Sequence, residues 1–149
     1  MKDAFGGILN LTFITIFLLL VSGILGLTVS YTKAFRVKNL VISSIENFEG
    51  TNCFGSDGKD SDCQNRIREG AKKLGYAPTT LNCPRGSTKI DNLFCYSVKS
   101  QSNKKVIYSI TTQVDINIPL VSNILGLSIF QVHGDTTPII MREGNNNKK

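Results

Sequence analysis

The start of this chain constrains it most. Ile8 to Val29 carries no charged side chain and is mostly apolar, and with no proline in between the sequence passes into a periodic stretch reaching about Glu49. At 1.5 Å per residue the uncharged run spans roughly 33 Å, about the hydrocarbon thickness of a bilayer, so a membrane-spanning helix is its default reading. A secretory signal peptide competes for the same segment, but its apolar core usually covers about 7 to 15 residues and ends at a small-x-small site. This run is longer and offers only the region of Gly23 and Gly26. Retention as an anchor is favoured.

After Ser30 the apolar residues Ala34, Val37, Val41, Ile45 and Phe48 recur every three or four positions, while Lys33, Arg36, Lys38, Glu46 and Glu49 lie mostly off that stripe. The period is that of an amphipathic helix whose stripe forms the core of a stalk. Its natural partner is the downstream domain folding back onto it, with Gly50 and Asn52 as stop residues. The chain therefore divides into an anchor helix (1–30), its amphipathic continuation (31–50), a small α+β domain (51–141) and a polar tail (142–149) expected to be disordered. Within the anchor, Gly7, Asn10, Thr12, Gly23 and Gly26 are candidate helix-packing positions, because small residues permit close approach and hydroxyls bond back to the helix backbone. A lone anchor also tolerates such residues.

Four cysteines, Cys53, Cys63, Cys83 and Cys95, all follow the hydrophobic run, the distribution of a disulfide framework in an exported domain. They admit three pairings. Short loops favour Cys53 with Cys63 and Cys83 with Cys95, and sequence alone does not choose. No C-x-x-C pair occurs and the single histidine, His133, is far along the chain, so zinc is a poor alternative.

Orientation carries a conflict. Lys2 precedes the span and Lys33, Arg36 and Lys38 follow it, which by the positive-inside rule places the C-terminal domain in the cytosol. The cysteines place it outside. The rule weakens for large domains, so an extracytoplasmic domain on a single-pass membrane protein is expected. A net charge of +6 raises the question of nucleic acid, but the basic residues are scattered and form no face with interleaved aromatics. Attraction to anionic membrane lipid or to acidic cell-surface polymer is the simpler expectation, and no nucleic-acid partner is expected.

Downstream of the stalk, residues 55–62 read GSDGKDSD, a loop of turn formers. Asp57, Asp60 and Asp62 are weak calcium candidates, because their spacing departs from ligands at positions 1, 3 and 5 and no glutamate occurs at position 12. Asp62 is expected to cap a short helix from Gln64 to Leu74, with Ile67, Ala71 and Leu74 on one face and Gly75 as its stop. Leu93 to Lys99, Val106 to Ile118 and Leu127 to His133 read as strands, with a turn over Ser100 to Lys104 and an apolar connection from Leu120 to Gly126 after Pro119. In the second strand Val106, Tyr108, Ile110, Thr112, Val114, Ile116 and Ile118 share a face expected to be buried on the helix, and Ile107, Ser109, Thr111, Gln113, Asp115 and Asn117 a face expected to be wet. The expected fold is α+β: a long N-terminal helix packed on an antiparallel sheet of about three strands, with one short extra helix.

No catalytic constellation rises above background. There is no G-x-S-x-G, H-E-x-x-H or phosphate-binding glycine loop, and His133 has no reactive partner motif. No catalytic, metal or cofactor residues are expected, and the chain reads as a structural or interaction protein.

The run through SYTKAFRVKNLVISSIENFEG and the late block VDINIPLVSNILGLSIFQVHGDTTPI resemble TadE-type pseudopilins of the tight-adherence secretion system. Val114 to Ile118, Pro119, Leu120, Leu125, Gly126 and Ile129 to Thr136 occupy the places of that family's strand, proline-leucine turn, glycine-bearing segment and last strand. The resemblance implies a pilin-like fold and a structural role in a prokaryotic pilus or secretion apparatus, with other pilin-like or secretion-machine subunits as partners in a homo- or hetero-oligomer. It covers the two ends of the chain and leaves the cysteine-bearing middle unexplained. One departure is chemical. Gly7 followed by Ile8 supplies the junction of a prepilin peptidase site, but the fifth position after it is Thr12 where a glutamate belongs. A membrane-retained minor component fits that better than a polymerising subunit. Two other classes compete on sequence alone: an anchored extracytoplasmic binding or sensory domain, and an anchored thiol oxidoreductase.

Overall fold

The computed structural model describes residues 2–50, 53–54, 61–102, 105–115 and 129–140, with side chains from residue 6 onward. Its first element, α1, is one continuous helix, Lys2–Asn47, of 46 residues. It is followed by α2 (Asp62–Lys73) and by the strands β1 (Thr88–Ile90), β2 (Phe94–Ser102), β3 (Lys105–Asp115), β4 (Ile129–Asp135) and β5 (Ile139–Ile140). The class is α+β, with a long helix and a small antiparallel sheet. Among the described residues the sheet has five strands, where about three are expected from sequence.

The two additional strands are short. β1 pairs with β2 through Thr88–Tyr96, Lys89–Cys95 and Ile90–Phe94, and the intervening turn places Asp91 and Asn92 at φ of 49° and 57°. Aspartate and asparagine reach that left-handed region at lower cost than most residues, which is why this dipeptide closes the hairpin. β5 covers two residues and pairs Lys105 with Ile140 and Val106 with Ile139. Between β4 and β5, Thr136 continues the edge: its N–H donates to the Tyr108 carbonyl at 2.9 Å and its hydroxyl accepts from the Tyr108 N–H at 3.0 Å. β2 extends through Ser102, beyond the end expected at Lys99. A register shift between Val98 and Ser100 marks a bulge there.

The core lies between the second half of α1, α2 and the sheet. Ala34, Val37, Val41 and Ile45 are fully buried against Ile67, Ala71, Phe94, Val106, Ile110 and Val114. Phe48 is half-buried at the margin. Removing a side chain of Val or Ile size from water is worth about 1.5–3 kcal/mol, so this single stripe supplies a large share of the domain's cohesion. Two glycines set how closely elements approach. A Cβ on Gly70 of α2 would overlap the Leu40 side chain, and one on Gly134 of β4 would lie 2.8 Å from Lys38 Cδ and 3.0 Å from Ile42 Cδ1. Lys38 is buried along its stem while its ammonium sits 4.2 Å from the centre of the Phe35 ring, a buried stem with an emergent head. One buried hydroxyl, Ser44 Oγ, has no hydrogen-bond partner among the described residues.

Three local expectations are corrected. The N-cap of α2 is Ser61, whose side chain accepts from the Gln64 N–H, and Asp62 is the acidic residue of the first turn. α1 ends at Asn47, two residues short of Glu49, as Gly50 N–H bonds to the Ile45 carbonyl. The outer face of β3 is not wet along its length: Thr111 and Gln113 are 4 % and 1 % exposed. The expected features at Asn52, Asp57, Asp60, Ile116 to Leu127 and 142–149 lie outside the described residues.

Candidate functional site

The first half of α1 makes no use of the domain. Ile8, Leu11, Phe13, Phe17, Leu18, Ile24, Leu25 and Val29 are all more than half exposed, in a helix long and apolar enough to cross a membrane. Such a surface is unfavourable in water at about 25 cal/mol per Å², and becomes neutral only when lipid or another apolar surface covers it. Its hydroxyl side chains are internally accommodated. Thr12, Thr15 and Thr28 donate to the carbonyls four residues back, Ile8, Leu11 and Ile24, and Ser22 donates to Leu19. These bonds hide the hydroxyl protons from hydrocarbon without a partner helix. Of the packing candidates, Gly7, Asn10, Thr12 and Gly26 are exposed and Gly23 is half-exposed, so among the described residues no packing within the chain covers them as an interface.

Where the helix meets the domain, an aromatic group gathers on one side. Tyr31 stacks near Phe35 with ring centroids 6.4 Å apart and meets Phe130 of β4 at 5.9 Å, and all three remain two-fifths exposed or more. The contact across α1 and β4 leaves no signal in the sequence, because Phe130 is nearly a hundred residues from Tyr31. The amphipathic ring of Tyr31 suits a membrane–water boundary at this level.

Two disulfides staple the domain. Cys53 bonds to Cys63, tying the exit of α1 to the first turn of α2, and Cys83 bonds to Cys95, tying an irregular segment to the start of β2. The first is reinforced by Gln64, whose amide donates to the Cys53 carbonyl at 3.2 Å. Beside it, Phe54 stacks on Tyr96 at 4.1 Å and leans on Tyr108 at 4.6 Å. All four cysteines are consumed in these bonds and none is free.

The irregular segment from Tyr76 to Cys83 crosses the outer face of β3 as a strap, which accounts for the buried Gln113. The Tyr76 hydroxyl donates to the Gln113 carbonyl at 2.9 Å and accepts from the Gln113 N–H at 3.0 Å. The Gln113 side chain accepts from Asn82 N–H at 2.9 Å and donates to the Thr80 carbonyl. Asp115 accepts from Thr79 N–H at 2.6 Å, and Gln131 donates to the Asn82 carbonyl at 2.8 Å. Burial pushes the Tyr76 phenol above its ordinary range, the Asp115 charge adds to this, and the Gln113 backbone hydrogen bond opposes it. Among the described residues no buried side-chain N or O atom of the cluster lacks a partner, which is what a buried network needs in order to specify one arrangement.

His133 of β4 sits with its Nδ1 2.8 Å from Thr111 Oγ1, a contact between adjacent strands. Among the described residues no group of three or more His, Cys, Asp or Glu side chains gathers as a metal site, and Asp62 stands exposed at the start of α2. Lys99, at the β2 bulge, reaches across β3 to form an ion pair with Asp135 of β4. That lysine holds the Asp135 carboxyl below the usual carboxylate range, against a smaller opposing effect of burial.

Comparison of this chain with protein-family models, with curated proteins and with solved structures gives no match. Three features remain to carry a function: an exposed apolar helix, a collar of aromatic side chains, and a doubly stapled domain built on the same helix.

Proposed function

We propose that this chain is a membrane-anchored, pilin-like structural subunit of a prokaryotic pilus or secretion apparatus, with its stapled domain on the extracytoplasmic side. One observation carries the reading: α1 serves without a break as an exposed apolar span and as the core of the domain. A protein made this way acts by placing a folded surface at a fixed position over the membrane and by lateral contact of its span. The two disulfides support an oxidising compartment. The sequence resemblance to TadE-type pseudopilins supports the kind of assembly, and Thr12 in place of the family's glutamate supports a retained minor component. Its role is structural and non-catalytic.

The test is photo-crosslinking in the native host from single sites on the anchor, with a photoreactive residue at Thr12 or Gly26. The reading requires crosslinks to another single-pass pilin-like or secretion-machine subunit, or to a second copy, and a domain that external protease reaches in spheroplasts. A domain protected from external protease, with both cysteine pairs reduced, overturns it.

A further inference from the structure

A second side of α1, next to the aromatic group, carries another feature. A groove of about 390 Å³ opens between Thr28, Thr32, Lys33 and Arg36 of α1 and Lys73 and Leu74 at the end of α2. Among the described residues three cations from two elements line it and no carboxylate does. Lys33 also borders a neighbouring depression that contains Asp115, while among the described residues Arg36 and Lys73 have no ion-pair partner. The C-terminus of α2 contributes a partial negative charge, about half an elementary charge, which three full cations outweigh.

The position is as informative as the charge. Leu11, Ile14, Leu18, Val21, Leu25 and Val29 follow one another at three- and four-residue steps, so they form a single stripe along α1 that leads to Thr32 and Arg36. Each of the six is more than a third exposed. The groove thus begins where an apolar track ends.

We propose that this groove binds the headgroup of an anionic phospholipid, with the phosphodiester held by Lys33, Arg36 and Lys73 and an acyl chain lying along the near half of the stripe, Leu18 to Val29, about the depth of one leaflet. Arg36 offers a planar fork for two phosphate oxygens, and the two lysines act as point charges from either side. A soluble phosphate has the charge and lacks the chain, so it gains nothing from the stripe. The proposal rests on the reading of α1 as a membrane span, and it adds to that reading a defined lipid site and a preference among lipids.

The test uses the full chain in nanodiscs containing spin-labelled phosphatidylglycerol or spin-labelled phosphatidylcholine, and reads the motionally restricted lipid fraction. Each cation near an anionic surface is worth roughly a fivefold preference. Phosphatidylglycerol is expected to be favoured over phosphatidylcholine by tenfold or more, with the preference lost in the triple variant Lys33→Gln, Arg36→Gln, Lys73→Gln. It is expected to persist in a charge-matched control, Arg66→Gln, Arg85→Gln, Lys89→Gln, whose sites are exposed and do not line the groove. Equal preference in wild type and groove variant overturns the proposal, as does an equal loss in the control. Displacement of the lipid by millimolar inorganic phosphate also overturns it, and marks a site for soluble anions. A chain that alkaline carbonate strips from the bilayer overturns the anchor and the groove together. A chain that stays inserted and shows no lipid preference overturns the groove alone.

Discussion

The Tyr76 hydroxyl takes both main-chain hydrogen-bonding groups of Gln113, donating to its carbonyl at 2.9 Å and accepting from its N–H at 3.0 Å. β2 begins at Phe94, and its ladder to β3 starts at Cys95–Thr111. Beyond that point one phenol does what a paired strand residue would do.

Tyr76→Phe keeps the ring and deletes this bond pair, leaving a buried N–H and carbonyl unsatisfied. A loss of about 1–3 kcal/mol is expected in urea denaturation of the domain. The pH dependence has a definite sign. The phenol titrates higher in the folded state than in the unfolded state, so its contribution is complete below the ordinary tyrosine range and fades as pH rises through the folded value. Alkaline destabilisation is expected to be weaker in Tyr76→Phe than in wild type.

Gly70 lies against Leu40, and the sign of a substitution there depends on its neighbour. Gly70→Ala gains up to about 1 kcal/mol of helix propensity, yet displacing Leu40 costs about 1–3 kcal/mol, so a net loss is expected. In a Leu40→Ala background the same change is expected to stabilise. A double-mutant cycle by thermal denaturation measures the reversal, and additive effects would remove the steric account.

The two disulfides close loops with sequence separations of 10 and 12 residues. Loop entropy assigns each roughly 3 kcal/mol. Their local effects differ. Replacing Cys53 and Cys63 by Ser is expected to raise hydrogen exchange mainly in α2, whereas replacing Cys83 and Cys95 is expected to free the strap and expose the Gln113 amide. Uniform acceleration across the domain in both variants would contradict this assignment.

Ser44 is fully buried, and its hydroxyl has no partner among the described residues. Ser44→Ala removes the desolvation cost and improves helix propensity, so a gain of about 1 kcal/mol is expected, visible as a higher melting temperature.

Asp135 is held below its ordinary pKa chiefly by Lys99. Its contribution is therefore present above the usual carboxylate range and lost as pH falls through the folded value. Asp135→Asn is expected to flatten the acid limb of the stability profile, an effect reduced by salt because both partners reach solvent. An unchanged acid limb would assign it to other carboxylates.

Whatever repeats is legible in the sequence. The apolar run and the stripe through Ala34, Val37, Val41 and Ile45 appear as length and period, and the main strands as alternation. β1 and β5 are too short to show a period. The Asp91–Asn92 pair is a usable turn signal for β1, since few other residues accept positive φ at two successive positions. The strap over Gln113 leaves no such mark. Its hydrogen bonds join residues more than thirty positions apart, and a glutamine on an alternating strand reads as a solvent-facing residue until something is known to cover it. The cation groove is invisible for the same reason, as Arg36 and Lys73 meet only through the packing of α2 on α1.

The absence of any joint between Val29 and Ala34 gives the protein a rotational phase. Each added helical residue turns the domain by about 100° about the helix axis, so one residue inserted there would swing the sheet, the bulge at Lys99 and the aromatic collar by more than a quarter turn relative to the span. Four inserted residues would nearly restore the original azimuth while raising the domain by about 6 Å. Which side of the domain faces a neighbour is thus written into the count of residues along α1, and a neighbour that grips the span also aims the surface above it.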